Sequence, residues 1–126
     1  MGLNASNAAT QFTPVTLFAP HAAASGTSPG LDLQAYSGDG YIFLTFTKTS
    51  GTISAVYKAQ ECDTSNGSPT DIAGLPTVTL TATGEGIIRI RKDMVKRWLF
   101  LNEAQGGTNP VGITSASWHA VKHERP

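Results

Sequence analysis

The sequence has little charge and almost no cysteine. Only 14% of its 126 residues are charged and the formal net charge is zero, whereas about 25% charged residues is usual in soluble domains. A general nucleic-acid binder carries a marked positive surface, so we expect no nucleic acid among the partners. Cys62 is the single cysteine, which leaves no second thiol for an intrachain disulfide and no set of thiolates for a metal.

Long apolar runs are also missing. No stretch approaches the ~18 apolar residues that a membrane-spanning helix needs, so we expect no membrane partner. Residues 15–24 are mildly apolar, but Pro14 and Pro20 interrupt them and no basic residue precedes them. This pattern does not favour a signal peptide.

The residue types that catalysis requires are scattered along the chain. The three histidines are His21, His119 and His123. The last two could share a strand face, but no third metal ligand is near them in sequence. Glu61 and Asp63 flank Cys62 and should raise its thiol pKa, which argues against a reactive thiolate. We therefore predict that the protein is not an enzyme and uses no metal or cofactor.

What the sequence does contain is a series of short alternating apolar and polar segments separated by glycine-rich and proline-rich turns. About eight such segments and no long helix predict an all-β, single-domain antiparallel β-sandwich. The absence of a Cys…Trp…Cys frame favours a jelly roll over an immunoglobulin domain. We expect a flexible N-terminal arm over residues 1–14 and the sandwich over residues 15–126.

The stretch 40–60 carries the clearest strand pattern. Its two halves read GYIFLTFTK and ISAVYKAQ around a glycine turn. A two-residue turn at Ser50-Gly51 would make them a hairpin and place Phe46 opposite Ala55. Phe46 and Tyr57 would then face the core, while Thr47 and Lys58 would point outward.

A second hairpin is predicted around residues 84–86. A three-residue loop there pairs Leu80 with Ile90 and leaves Arg89 and Arg91 outside. The flanking segments are predicted as strands at 15–18, 31–36, 98–101 and 113–121, and as loops at 21–30, 37–40 and 102–110. The strand at 98–101, WLFL, is apolar on both faces and should be covered on both sides.

Two surface features suggest binding. The segment 89–97 holds five of the nine lysines and arginines: Arg89, Arg91, Lys92, Lys96 and Arg97. It is either a solvated face or a docking surface for an acidic partner. The nominal outer face of the first hairpin keeps Tyr41, Phe43 and Val56, as an oligomer interface would. The tryptophans and remaining tyrosines fit core packing better than a sugar-stacking platform.

The run LDLQAYSGDGYIFLTFTKTSGTISAVYKAQECD, followed by SPTDIAG and then KRWLFL, resembles small structural proteins of tailed bacteriophages. The resemblance spans Leu31 to Leu101 and is a pattern of residue types. It implies a jelly-roll protein that decorates or cements the outer capsid surface, commonly as a dimer or trimer. No functional residue is carried over by it.

The resemblance and the residues together give a specific expectation. The protein should be a homo-oligomeric virion component on the outer capsid surface, with the major capsid protein as its partner. Phe12 of the arm and the five cations of segment 89–97 are the predicted capsid-binding residues. Two alternatives stay open, namely a phage tail or fibre component and a carbohydrate-binding β-sandwich module.

Overall fold

The protein is a two-layered β-sandwich. A computed structural model describes residues 14–22 and 24–122, which form ten strands and two short 3-10 helices. The strands are β1 (Val15–Ala22), β2 (Gly26–Thr27), β3 (Leu31–Asp32), β4 (Tyr36–Ser50), β5 (Ser54–Cys62), β6 (Thr70–Asp71), β7 (Val78–Leu80), β8 (Gly84–Ile90), β9 (Trp98–Gly106) and β10 (Val111–Lys122). The 3-10 helices are Leu33–Ala35 and Lys92–Met94. The predicted arm, apart from Pro14, lies outside the described residues, and Phe12 lies there with it.

The strands form two antiparallel sheets. Sheet one has the order β1-β10-β4-β8. Sheet two has the order β2-β9-β5-β6, with β3 also paired to β9 and β7 also paired to β5. All of these pairings are antiparallel. The prediction of an antiparallel β-sandwich is confirmed.

The inward faces of the two sheets meet in one hydrophobic core. Alternate residues of the four central strands supply it, because side chains of a strand point to opposite faces in turn. The buried members from these strands are Ile42, Leu44, Phe46, Ala55, Tyr57, Ala59, Leu99, Leu101, Ala116 and Trp118. Burying one large apolar side chain contributes about 1.5–3 kcal/mol, so this set supplies most of the force that holds the sheets together.

The predicted hairpin of β4 and β5 does not form. β4 pairs with β10 and β8, so that Phe46 lies opposite Thr114 and Gly84. β5 belongs to sheet two, and residues 51–53 cross from one sheet to the other. The inward placement of Phe46 and Tyr57 is nevertheless confirmed. The alternation of apolar and polar residues determines which side chains of a strand point into the core. This result is the same whether the following strand pairs with it in one sheet or lies across the core in the other.

The second predicted hairpin is wrong for the same reason. β7 joins sheet two, with Leu80 opposite Ala55. β8 joins sheet one, with Ile90 opposite Gly40. The chain crosses between the sheets at residues 81–83. The outward positions of Arg89 and Arg91 are confirmed, since both residues are exposed.

Several predicted strand and loop boundaries also shift. β1 continues through Pro20 to Ala22, as an edge strand with two register shifts allows. The predicted turn at 37–40 lies inside β4 as a bulge, where Gly38 has a positive φ of 77°. The predicted loop at 102–110 is β-strand as far as Gly106.

Two further details concern sheet two. The predicted strand at 31–36 is divided: only Leu31–Asp32 pairs as β3, because Asp32 caps a 3-10 turn by accepting from the Gln34 backbone N–H at 3.0 Å, and Tyr36 begins β4. The double coverage predicted for WLFL is confirmed. Phe100 is buried on the outer side, where Gly30 lies so close that a Cβ there would be 3.0 Å from its ring.

Among the described residues, none of the helices has the length and apolar character to cross a membrane.

Replacing Phe46 with alanine tests the core. The side chain is fully buried between the sheets, so Phe46→Ala should lower the free energy of unfolding by about 3–5 kcal/mol. Equilibrium denaturation in urea measures the change. Thr47→Ala, on the exposed face of the same strand, is the matched control and should change stability little. Equal losses in the two variants would contradict the assignment of faces.

Candidate binding surface

The outer face of sheet one is unusually apolar. Tyr41 and Phe43 point outward from β4, and Ile87 points outward from β8 beside Phe43. Ile87 is 60% exposed and Tyr41 is 42% exposed. We call Tyr41, Phe43, Ile87 and His119 the apolar face. Contiguous exposed apolar surface of this kind marks interaction sites more often than scattered single residues do.

Aromatic packing makes the apolar face rigid. The rings of Tyr41 and His119 stack with centroids 5.0 Å apart and planes 6° apart. Phe43 meets His119 edge to face at 6.4 Å. The His119 ring is also held by a hydrogen bond, since Nε2 lies 2.8 Å from Ser117 Oγ. A partner therefore meets a preformed surface, which keeps the entropic cost of ordering side chains low.

A shallow groove of about 520 Å³ runs along one edge of this face. Asp39, Gly40, Tyr41, Phe43, Ile87 and Arg89 line it. The charged rim is internally matched, with Arg89 Nη2 3.5 Å from Asp39 Oδ2. The groove thus offers an aromatic ring, an aliphatic wall and one ion pair that could exchange partners.

Val56 does not lie with the other predicted interface residues. It belongs to β5, on the outer side of sheet two, where it is opposite Thr79 and Ala104. Tyr41 and Phe43 lie on the outer side of sheet one. The predicted grouping of the three residues assumed one hairpin, and it fails because β4 and β5 are in different sheets.

The predicted capsid-binding cations are each matched by a group of the protein itself. Arg89 faces Asp39, Arg91 Nη2 lies 3.8 Å from Asp93 Oδ2, and Lys96 Nζ lies 3.9 Å from Asp63 Oδ2. Lys92 Nζ donates to the Tyr36 carbonyl. The segment is therefore not a bare positive surface, and exposed pairs such as these contribute little to stability.

Arg97 makes the best-directed of these contacts. Its Nη2 and Nε donate to the two carboxylate oxygens of Asp32 at 2.9 and 3.1 Å. This bidentate hydrogen bonding lowers the pKa of Asp32 and raises that of Arg97. The guanidinium also lies 5.4 Å from the centre of the Trp98 ring. Asp32 and Trp98 face each other in the β3–β9 pairing, so Arg97 anchors the edge of sheet two.

A buried polar cluster also lies between the sheets, and the sequence analysis did not find it. Glu103 of β9 is fully buried. Its Oε2 accepts from Thr114 Oγ1 at 2.5 Å, from Gln105 Nε2 at 2.7 Å and from the Tyr57 hydroxyl at 3.2 Å. Burial raises the pKa of Tyr57 to about 12. The alternation Leu99, Leu101, Glu103 would have predicted an inward carboxylate, had residues 102–106 been recognised as strand.

The single thiol behaves differently from the prediction. Cys62 has a lowered pKa, first because the Thr64 backbone N–H and then its hydroxyl hydrogen-bond to the sulfur. The charge of Asp63 raises the pKa as expected, but it is the weaker effect. The prediction considered only neighbouring charges and missed this local turn.

The histidines do not form a metal site within the described residues, which contain no group of three suitable ligands. His119 belongs to the apolar face, and His123 lies outside the described part of the chain. Trp118 and Tyr57 are core residues, as the packing interpretation of the aromatics predicted.

Comparison with protein-family models gives no match, and comparison with curated proteins gives no significant match.

Replacing Tyr57 with phenylalanine tests the buried polar cluster. Loss of the hydroxyl takes a partner from Glu103 and Thr114, so stability should fall by about 1–3 kcal/mol. Urea denaturation at neutral pH measures this. The control is Tyr41→Phe on the exposed face, which should be nearly neutral. Similar effects for both variants would contradict the structural role of the buried hydroxyl.

The same variant should change the alkaline limb of the stability curve. The raised pKa means that the unfolded chain loses the Tyr57 proton near pH 10 while the folded protein retains it to about pH 12. Wild-type stability should therefore fall with rising pH across this interval, and the fall should be smaller in Tyr57→Phe. Urea denaturation of both proteins at pH 9, 10 and 11 measures this loss of stability. Parallel plots of stability against pH for the wild type and Tyr57→Phe would contradict the raised pKa of Tyr57.

Proposed function

We propose that the protein is a structural virion component that decorates and cements the outer surface of a bacteriophage head. The observation that carries this proposal is the rigid, exposed apolar face of sheet one, with its adjoining groove. A surface that binds by area and shape fits a shell component, whose copies associate and then attach to a repeated lattice through many weak contacts. The partner is the major capsid protein, and the location is the outer capsid surface.

The finer architecture that we infer is a jelly roll. The chain crosses from one sheet to the other between β4 and β5 and again between β7 and β8. The first and last long strands, β1 and β10, lie side by side in sheet one. These features support the two Greek keys of a jelly roll, an architecture that occurs in viral capsid and lectin domains.

Self-association is part of the proposal. Tyr41, Phe43 and Ile87 supply an apolar centre, and Arg89 and Asp39 supply both signs of charge at its rim. A patch that carries both signs can be self-complementary, as a closed symmetric interface requires. We therefore assign this face to the contact between copies of a homo-oligomer. A self-complementary patch closes a dimer, whereas a trimer would join two different patches. Oligomerisation would then increase avidity for the capsid by about 10²–10⁴ over a single contact.

The cations of segment 89–97 have a secondary role in this scheme. Because each is already matched within the chain, docking must exchange one charge partner for another. Such exchange sets orientation and encounter rate more than affinity. We expect attachment to weaken only moderately with salt, and Phe12 remains a predicted contact outside the described residues.

A carbohydrate-binding module is the second candidate, and the groove is the observation that favours it. Tyr41 and the Asp39–Arg89 pair bring together an aromatic ring and hydrogen-bonding groups, which sugar sites combine. A glycan array with the purified protein tests this candidate directly. The third possibility, a tail or fibre component, is distinguished by locating the protein on virions with a labelled antibody.

The decisive experiment adds purified protein to undecorated capsids. Bound copies are counted after sedimentation, and the temperature of capsid disruption is measured with and without the protein. We expect saturable binding and a higher disruption temperature. No binding, or binding without added heat resistance, would overturn the cement function and leave the glycan array and virion labelling to separate the other two.

One matched pair of variants locates the interface. Ile87 and Met94 are both 60% exposed, but only Ile87 lies on the apolar face. Ile87→Asp should shift the solution mass toward the monomer and reduce capsid occupancy at least tenfold, because it buries a charge in the interface. Met94→Asp should leave both unchanged. Light scattering and co-sedimentation measure the two effects, and equal behaviour of the variants would exclude this face.

A further inference from the structure

The contacts of Glu103 are unequally divided between its two oxygens. Three donors surround Oε2, namely Thr114, Gln105 and Tyr57. Oε1 receives no hydrogen bond from the described residues, and it is buried. Its nearest ionic neighbour is His21 Nε2, at 3.2 Å. A carboxylate oxygen without a partner inside a sandwich is costly, so the state of His21 decides whether this arrangement is favourable.

The tautomer of His21 follows from its other nitrogen. Nδ1 lies 2.8 Å from the Ala22 carbonyl oxygen, which can only accept, so Nδ1 must carry a hydrogen. In a neutral imidazole Nε2 would then be an acceptor, and its lone pair would face the lone pairs of Glu103 Oε1. The contact becomes attractive when Nε2 also carries a proton and the ring is a cation.

Within residues 14–22 and 24–122, no other cation lies within ion-pair distance of Glu103. The groups that face it are Tyr57 from β5, Gln105 from β9, Thr114 from β10 and His21 from β1. Phe18 packs against the His21 ring at 5.1 Å. Among the described residues, His21 is therefore the one positive group within ion-pair distance of this carboxylate. Its side chain is 34% exposed, whereas that of Glu103 is 0% exposed, so the proton reaches the pair from solvent through His21.

We propose that His21 and Glu103 form a proton-dependent latch between the two sheets. The imidazolium of β1, at the edge of sheet one, holds the buried carboxylate of β9 in sheet two. One proton completes the latch. Loss of that proton leaves two opposed lone pairs and an unmatched buried charge, which loosens the His21 end of β1 from the sandwich. The latch is a property of the isolated chain and does not depend on the capsid function.

Counting protons gives the direction of the pH effect. In an unfolded chain a glutamate gains its proton near pH ~4.3, and a histidine loses its proton near pH ~6.5. The closed latch holds one proton. Below pH ~4.3 the unfolded pair holds two protons and above pH ~6.5 it holds none, so stability falls on both sides of this interval. The folding equilibrium constant changes at most about tenfold per pH unit from this source.

The first test compares the wild-type protein with Glu103→Gln. The glutamine amide can donate to a neutral His21 Nε2 while its carbonyl accepts from Thr114, so the pair no longer needs a proton. Between pH 6.5 and 8.5 the urea midpoint of the wild type should fall, and that of Glu103→Gln should stay level. His119→Gln is the control, and it should keep the wild-type slope. Equal slopes in wild type and Glu103→Gln would overturn the latch.

The second test reads the proton directly and does not depend on the variants folding. Nitrogen-15 NMR of the imidazole rings distinguishes a doubly protonated ring from a neutral one. While the latch is closed, we expect both His21 nitrogens to be protonated. Hydrogen exchange of the His21 and Ala22 amides should then speed up above the pH at which the ring is neutralised. A neutral His21 ring at pH 6.5 would overturn the proposal. So would amide hydrogen-exchange rates at His21 and Ala22 that do not change with the protonation of the ring.

Discussion

The packing of β4 across the core from β5, rather than beside it, determines the position of every surface feature described above. Each strand has one buried face, and the inward residues of one sheet interlock with those of the other. Because the two strands belong to different sheets, their outward residues lie on opposite sides of the molecule. The apolar face, the groove and the Val56 position follow from this one arrangement.

Alternation made the faces predictable but not the partners. Phe46 and Tyr57 could be placed inward because a strand of period two has only two choices of face. The pairing of β4 with β5 could not be predicted in the same way. Two strands paired within one sheet and two strands facing each other across the core place the same alternate residues inward. The strand pairings that form, such as β4 with β10, join segments some 70 residues apart and leave no local signal.

The candidate site was predictable to a similar extent. Tyr41 and Phe43 could be recognised as outward apolar residues, and Arg89 as an outward cation. Apart from Asp93, which lies within the segment, the carboxylates that match the cations could not be recognised, because they are distant in sequence, as Asp32 and Arg97 are at 65 positions apart. Glu103 escaped notice since the glycines after it suggested a loop. Its burial shows that a polar residue on an inward position is informative even near the end of a strand.

The edge strand β1 has a consequence for how copies of the protein can meet. A free strand edge is a template on which other chains can pair without limit. Pro20 has no N–H to offer such a strand, and the two register shifts of β1 bend its backbone away from a regular ladder. Growth by edge addition is therefore disfavoured on this side. If copies met through one self-complementary sheet face instead, the contact would close at two copies and leave no free edge for fibre growth.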